Sequence, residues 1–178
     1  MKISEHIVFK VLHVLTWIIF VGLCIEAGGI LVNFVFSIFK PAMVSRLYQK
    51  LDLSAVYQES IWLFYGLYSL LLGVALLKAH LFYKLIELVS KLDLQKPFNA
   101  SVTKKITDLS YYTMVIGILS IIGEQTTENL GHYSIDTTQL QSLWNDGNAF
   151  LLMSAIIYVI AAIFTRGVDI QNENDLTV

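Results

Sequence analysis

One cysteine and a charged fraction of 15% mark this 178-residue chain by what it has little of. Cys24 has no intrachain partner, which excludes a disulfide scaffold. Twelve Lys+Arg against 14 Asp+Glu give a net charge of −2. That balance excludes a strongly basic nucleic-acid binder, and no direct nucleic-acid binding is expected. No nucleophile elbow, Walker loop, GxGxxG or HExxH occurs. The chain is therefore read as a non-enzyme with no metal site and no cofactor. What is abundant is apolar: 56% of residues are hydrophobic, against roughly 45–50% in ordinary globular proteins, whose charged share is roughly 25%. This excess excludes disorder and leaves an integral membrane protein.

Four apolar runs carry the excess. No Lys or Arg occurs between Lys10 and Lys40, and Glu26 is the one acid from Leu12 to Phe39. A helix of that length exceeds a ~30 Å hydrocarbon core, so its ends protrude or tilt. It is too long for a signal-peptide core, and Leu23 before Cys24 does not fit a lipoprotein site, so an uncleaved anchor is expected. Cys24 then reads as a small buried apolar residue. Ile61 to Leu77 is the second run, closed by Lys78 and His80. Leu109 to Gly123 is the third, short enough to read as an interfacial helix instead. Ala149 to Phe164 is the fourth, with Asp146 or Asn148 as its N-cap.

Charge arbitrates on the third run. With four spans, Lys2, Lys10, Lys78, Lys84, Lys91, Lys96, Lys104, Lys105 and Arg166 fall on one side. Lys40, Arg46 and Lys50 fall on the other. Nine against three is a positive-inside bias, predicting a multi-pass cell-membrane protein with cytoplasmic N- and C-termini. The expected fold is all-α: one domain over 1–178, a four-transmembrane-helix bundle spanning about 12–39, 61–81, 109–123 and 147–165, with a short tail over 166–178.

Helical spacing sorts small and polar residues into stripes expected to face inward. These are Gly22, Glu26, Gly29 and Asn33; Gly66, Ser69 and Gly73, continuing to His80 and Lys84; Ser110, Thr113, Gly117, Ser120 and Glu124; and Gly147, Ser154, Tyr158, Ala161 and Thr165. Trp62, Tyr133 and Trp144 read as one interfacial belt, and Trp17, Phe82, Tyr83, Tyr111 and Tyr112 as the other. Residues 41–59 read as a short interfacial helix. Residues 82–96 read as an amphipathic extension broken at Lys96-Pro97-Phe98-Asn99, with Asn99 or Ser101 starting the next helix.

Glu26 is the sharpest single residue. A charge mid-membrane costs about 2.5–3.5 kcal/mol by insertion scales, so Glu26 must find a partner, face the bundle or stay protonated. It reads either as an ion or proton site along Gly22, Gly29 and Asn33 or as a protonated acid hydrogen-bonded between helices. Glu124, Glu128 and His132 share a face only if the third helix continues outward; a loop reading competes with metal binding there. His6, His13 and His80 lack partners at ligand spacing. The lysines of 78–105 set topology or meet anionic lipid or an acidic partner.

The chain ends Phe164-Thr165-Arg166-Gly167, then an acidic stretch closing in Glu173-Asn174-Asp175-Leu176-Thr177-Val178. This resembles a bacterial family of four-span integral membrane proteins of unknown function, whose members end in a Phe-basic-Gly step and Glu-Asn-Asp-Leu-Thr-Val. Lys96-Pro97-Phe98-Asn99 is similar to that family's Gly-Lys-Pro-Phe break, with Gln95 in place of glycine. The resemblance covers about 90–120 and 150–178 and implies no catalytic residues. It implies, by gene neighbourhood, a membrane partner or antagonist of a cytoplasmic helix-turn-helix regulator. Arg166, Asp169, Glu173, Asn174 and Asp175 are then the docking tail; the competing reading is that the tail folds back onto the bundle. The alternative function is a small ion or solute transporter or channel using Glu26. Membrane lipid, a cytoplasmic regulatory protein and a second copy of the chain are the partners these readings put forward.

Overall fold

The computed structural model describes residues 2–47, 51–91, 98–131 and 138–175. The order is α1 (Lys2–Phe39), a 3-10 helix (Pro41–Arg46), α2 (Ser54–Glu59), α3 (Ile61–Lys91), α4 (Ala100–Gly131), α5 (Thr138–Trp144) and α6 (Gly147–Asp175). No strand occurs among the described residues. Four helical stretches are long and apolar enough to cross a membrane: Ile7–Phe39, Ile61–Ser90, Ala100–Gly131 and Leu140–Glu173. The protein is all-α and has the make-up of a multi-pass membrane protein.

The helices outrun the apolar runs that announce them. The short third run lies inside the 32-residue α4, which continues through Lys104, Lys105 and Asp108 at one end and Glu124 and Glu128 at the other. Helix formation needs only satisfied backbone bonds, and charged residues with good helix propensity supply them outside the hydrocarbon. Likewise α3 runs past the end of its apolar run at Lys78 to Lys91, in line with the amphipathic extension expected from residue 82. Gly167 does not end α6, which stays helical to Asp175.

Local signals set the helix starts. Pro41 follows α1, where its missing N–H cannot continue the ladder. The Ser60 Oγ accepts the Leu63 N–H at 3.4 Å and opens α3. Asn99 caps α4: its Oδ1 accepts the Ser101 N–H at 2.8 Å, and its carbonyl accepts the Thr103 N–H at 2.9 Å. At α6 the Asp146 carbonyl accepts the Phe150 N–H at 3.0 Å, leaving the Asp146 carboxylate for another partner. Between α1 and α3, the Asp52 carboxylate accepts hydrogen bonds from the Ser54 hydroxyl and N–H, and these hold its pKa below the usual value.

The long helices pack in chain order: α1 on α3, α3 on α4, and α4 on α6. Successive members are antiparallel. Phe20 meets Tyr83, while the Tyr68 hydroxyl donates to the Ile30 carbonyl at 3.2 Å. Lys105 meets Glu87 and Tyr112 meets His80. Gly117 lies against Leu151 and Gly167 against Phe98. The start of α1, the end of α3, the start of α4 and the end of α6 therefore share one end of the molecule.

Burial is uneven along this row. The apolar window of α1 is 6% buried, against 44% for α4. A peripheral helix with one main neighbour leaves most of its surface for lipid. That corrects the reading of Cys24, which is exposed on α1 rather than buried. The principal core includes Phe64, Tyr68, Val44 and Val56 near the α1–α3 connection, and Ile116 and Trp144 further along the row.

The expected inward stripes divide. On α4, Ser110, Thr113, Gly117 and Ser120 are buried, and on α6 so are Gly147, Ser154 and Ala161; Tyr158 and Thr165 are exposed. On α3, Gly66 and Ser69 are exposed and Gly73 half-exposed, with open space where Cβ atoms on Gly66 and Gly73 would stand. This stripe points away from the α1 contact because Phe64, Tyr68 and Ala75 occupy the packed face of α3. Gly22 on α1 likewise meets open space. The aromatic belt needs one correction. Trp62 is 84% exposed as a belt residue should be, but Trp144 is fully buried. Its ring covers Gly123, and its Nε1 donates to the Thr127 Oγ1 at 3.0 Å. Tyr133 lies outside the described residues.

Candidate functional site

The α1 stripe lies beside the α3 contact rather than within it. Ala27, Ile30 and Ser37 are buried, and Phe34 stacks on Tyr68 at 5.5 Å. Glu26, Gly29 and Asn33 flank this seam half-buried, and Gly22 is exposed. No described residue hydrogen-bonds or ion-pairs with Glu26. The four residues keep the common face that their spacing predicts, without a partner side chain to complete a site.

The structure builds a second polar feature that the spacing of one helix could not announce. The Lys78 Nζ lies 3.3 Å from the Asp146 carboxylate and 5.3 Å from the centre of the Phe150 ring. Lys78 stands about 25 Å from the Ile61 end of α3 and about 20 Å from the Lys91 end. It therefore lies well inside helix α3 rather than at its end, with its side chain 20% exposed. Charge counting puts Lys78 with the 78–108 segment and Asp146 with the opposite loop. The ion pair brings them together, so Lys78 does not end a span, and the basic count becomes eight against three. The available signal was that an acid and a base each adjoin an apolar run.

A third cluster sits where α3 leaves and α4 enters. Glu87 accepts from Lys105 and, at 3.4 Å, from Lys84. Ser101, Lys104 and Asp108 complete a recess of ≈ 190 Å³ with these three residues. Lys104 is exposed. Above it on the same seam, the His80 and Tyr112 rings meet edge-on at 4.9 Å. Higher still is an apolar groove of ≈ 540 Å³ between Gly66, Leu70 and Gly73 of α3 and Leu119, Ile122 and Thr126 of α4.

The tail extends α6 as a helix. Arg166 and Asp169 are 4.0 Å apart on exposed surface, and Glu173 is exposed. The Asn174 and Asp175 side chains lie outside the described residues. Phe98 packs on Phe164 at 5.4 Å and lies directly over Gly167. The two sequence blocks that carry the family resemblance thus touch.

The remaining candidates do not assemble. Glu124 and Glu128 are on helical α4, but Glu128 accepts from Gln125, and His132 lies outside the described residues. Among the described residues no group of three potential metal ligands occurs. His13 accepts a hydrogen bond from the Trp17 Nε1 at 3.1 Å. His6 has no described side chain.

A family model for proteins of unknown function, DUF2975, matches residues 47–178. The chain belongs to this family. The matched segment holds α2 to α6, and with them Lys78–Asp146, the Glu87 cluster and the Phe98–Gly167 contact. No curated protein and no solved structure matches the chain. As a DUF2975 member with four apolar helices of spanning length, it is an integral membrane protein whose family defines no activity.

Proposed function

We propose that this is a non-enzymatic protein of the cell membrane that uses the projecting end of α6 to hold a cytoplasmic partner. The observation behind this reading is the continuation of α6 beyond Arg166 to Asp175. A tail already helical loses less conformational freedom on docking than a coil. Asp169 and Glu173, four residues apart, share one face, and exposed Ile170 adds apolar surface. Such a helix suits a basic partner surface with an apolar rim. The resemblance implies a helix-turn-helix regulator, whose DNA-binding face is basic; holding that face would keep it from DNA. Eight basic residues against three support cytoplasmic termini.

The test uses the full chain with Asp169→Lys and Glu173→Lys together, co-expressed with a helix-turn-helix regulator of the kind the resemblance implies. Crosslinked recovery of the regulator is expected to fall about tenfold or more while membrane insertion is unchanged, the scale of losing two charge-assisted contacts. Undiminished recovery would falsify the docking role. Phosphatase activity of a fusion to the C-terminus would overturn the orientation.

The second reading is a small ion or solute transporter, favoured by half-buried Glu26 lacking a described partner and by the ion pair well inside helix α3. It expects ion flux in liposomes that Glu26→Gln suppresses. Flux no greater than that of empty vesicles retires it.

A further inference from the structure

The recess lined by Lys84, Glu87, Ser101, Lys104, Lys105 and Asp108 has an excess of positive charge. Three ammonium groups face two carboxylates. Glu87 already engages both Lys84 and Lys105, and Lys104 has no ion pair with a described residue. Ser101 adds a hydroxyl donor. One further monoanion would bring the recess to neutrality. Its ≈ 190 Å³ exceeds the space of several waters at about 30 Å³ each, and so admits a phosphate group.

Its position narrows the source of that anion. The recess lies where the α3–α4 seam changes from apolar to charged, at the rim of the spans. Gly73 and Lys84 are three turns apart on one side of α3. Ile122 and Lys104 are five turns apart on one side of α4. The charged recess, the His80–Tyr112 contact and the apolar groove therefore follow one another along a single face. An amphiphile with its anionic head in the recess keeps its chains against an apolar seam. We propose that this recess binds the phosphodiester headgroup of an anionic phospholipid.

Lys84 and Lys104 donate to the phosphate oxygens, while Lys105 stays on Glu87. A zwitterionic lipid carries the same phosphate, but its ammonium brings a fourth positive charge to the site. Anionic headgroups are therefore selected.

The experiment counts lipids retained by the purified full chain in native mass spectrometry, with phosphatidylglycerol and phosphatidylcholine in competition. The wild type is expected to prefer phosphatidylglycerol. Lys104→Gln and Lys84→Gln should each reduce the preference about fivefold, since a lysine near an anionic surface contributes about 1 kcal/mol. Lys40→Gln, at the opposite end of α1, removes the same charge and should leave the preference intact. Lys104 is exposed and Lys40 is exposed, so both variants keep the fold, as circular dichroism verifies. Equal retention of the two lipids, or equal losses with Lys40→Gln, overturns the site. Displacement of phosphatidylglycerol by millimolar inorganic phosphate assigns the recess to a free phosphate compound and overturns the lipid. Loss of regulator capture in Lys104→Gln with lipid preference unchanged assigns it to protein and likewise overturns the lipid.

Discussion

Phe98 and Gly167 are in such close contact that a Cβ built on Gly167 would stand 2.4 Å from the Phe98 Cδ1. Phe98 stands just before α4, and Gly167 lies in α6 just past Arg166. The contact ties the exit of the last span to the entry of the third. It also gives the Arg-Gly step a packing reason: the glycine makes room for a ring, while the helix runs on.

Gly167→Ala should therefore destabilise the protein by about 1–3 kcal/mol, the usual cost of overpacking. Truncating the ring in Phe98→Ala should make the alanine at 167 nearly harmless, because the clash is gone. Unfolding of the four species of this double-mutant cycle in detergent measures the coupling. Additive effects would remove the contact from the explanation.

Gly123→Ala meets a firmer obstacle. Its Cβ would lie 2.6 Å from the Trp144 ring, which is fully buried and pinned by Thr127. Thr127→Val keeps the shape and removes the acceptor of the indole N–H, with an expected cost of about 1–3 kcal/mol. Both variants should shift the Trp144 emission to longer wavelength as α5 loosens. A Trp62→Phe, Trp17→Phe background isolates that signal; an unmoved spectrum would count against the anchoring of α5.

Ser120 points the other way. It is 1% exposed, and its hydroxyl is buried without a hydrogen-bond partner among the described residues. Ser120→Ala removes an unsatisfied polar group and should leave stability unchanged or raise it by up to about 1–3 kcal/mol. A lower unfolding midpoint would mean that the hydroxyl has a partner after all.

Lys78→Met leaves Asp146 without its cation and Phe150 without the overlying charge. The expected loss is about 1.5–3 kcal/mol for a charge-assisted bond, reduced because Asp146 is 65% exposed. Adding Asp146→Asn should recover part of it. If Lys78→Met alone unfolds no more easily than the wild type, the pair is not what holds the start of α6 to α3.

The apolar runs sufficed to reveal four membrane-length helices, because hydrocarbon admits a lone segment only when its backbone bonds close internally. The Asn99 cap was equally legible, since a cap acts within a few residues of chain. Where a helix ends was less so: Gly167 and Glu124 resemble stops, yet a helix passes both, since charge and glycine weaken a helix without forbidding it. The inward stripes failed on α3 for a related reason. Periodicity defines a face of a helix, not which neighbour will cover it.

Class, span number and the common faces of Glu26 with Asn33 and of Asp169 with Glu173 thus follow from sequence alone, being matters of composition and of 3.6 residues per turn. Only tertiary packing put Lys78 beside Asp146, Trp144 over Gly123, Phe98 over Gly167 and Lys105 on Glu87. Each of these joins residues from different segments, through the registers in which successive antiparallel helices lock. Those registers depend on side chains interdigitating across two surfaces at once, which no pattern along a single helix contains.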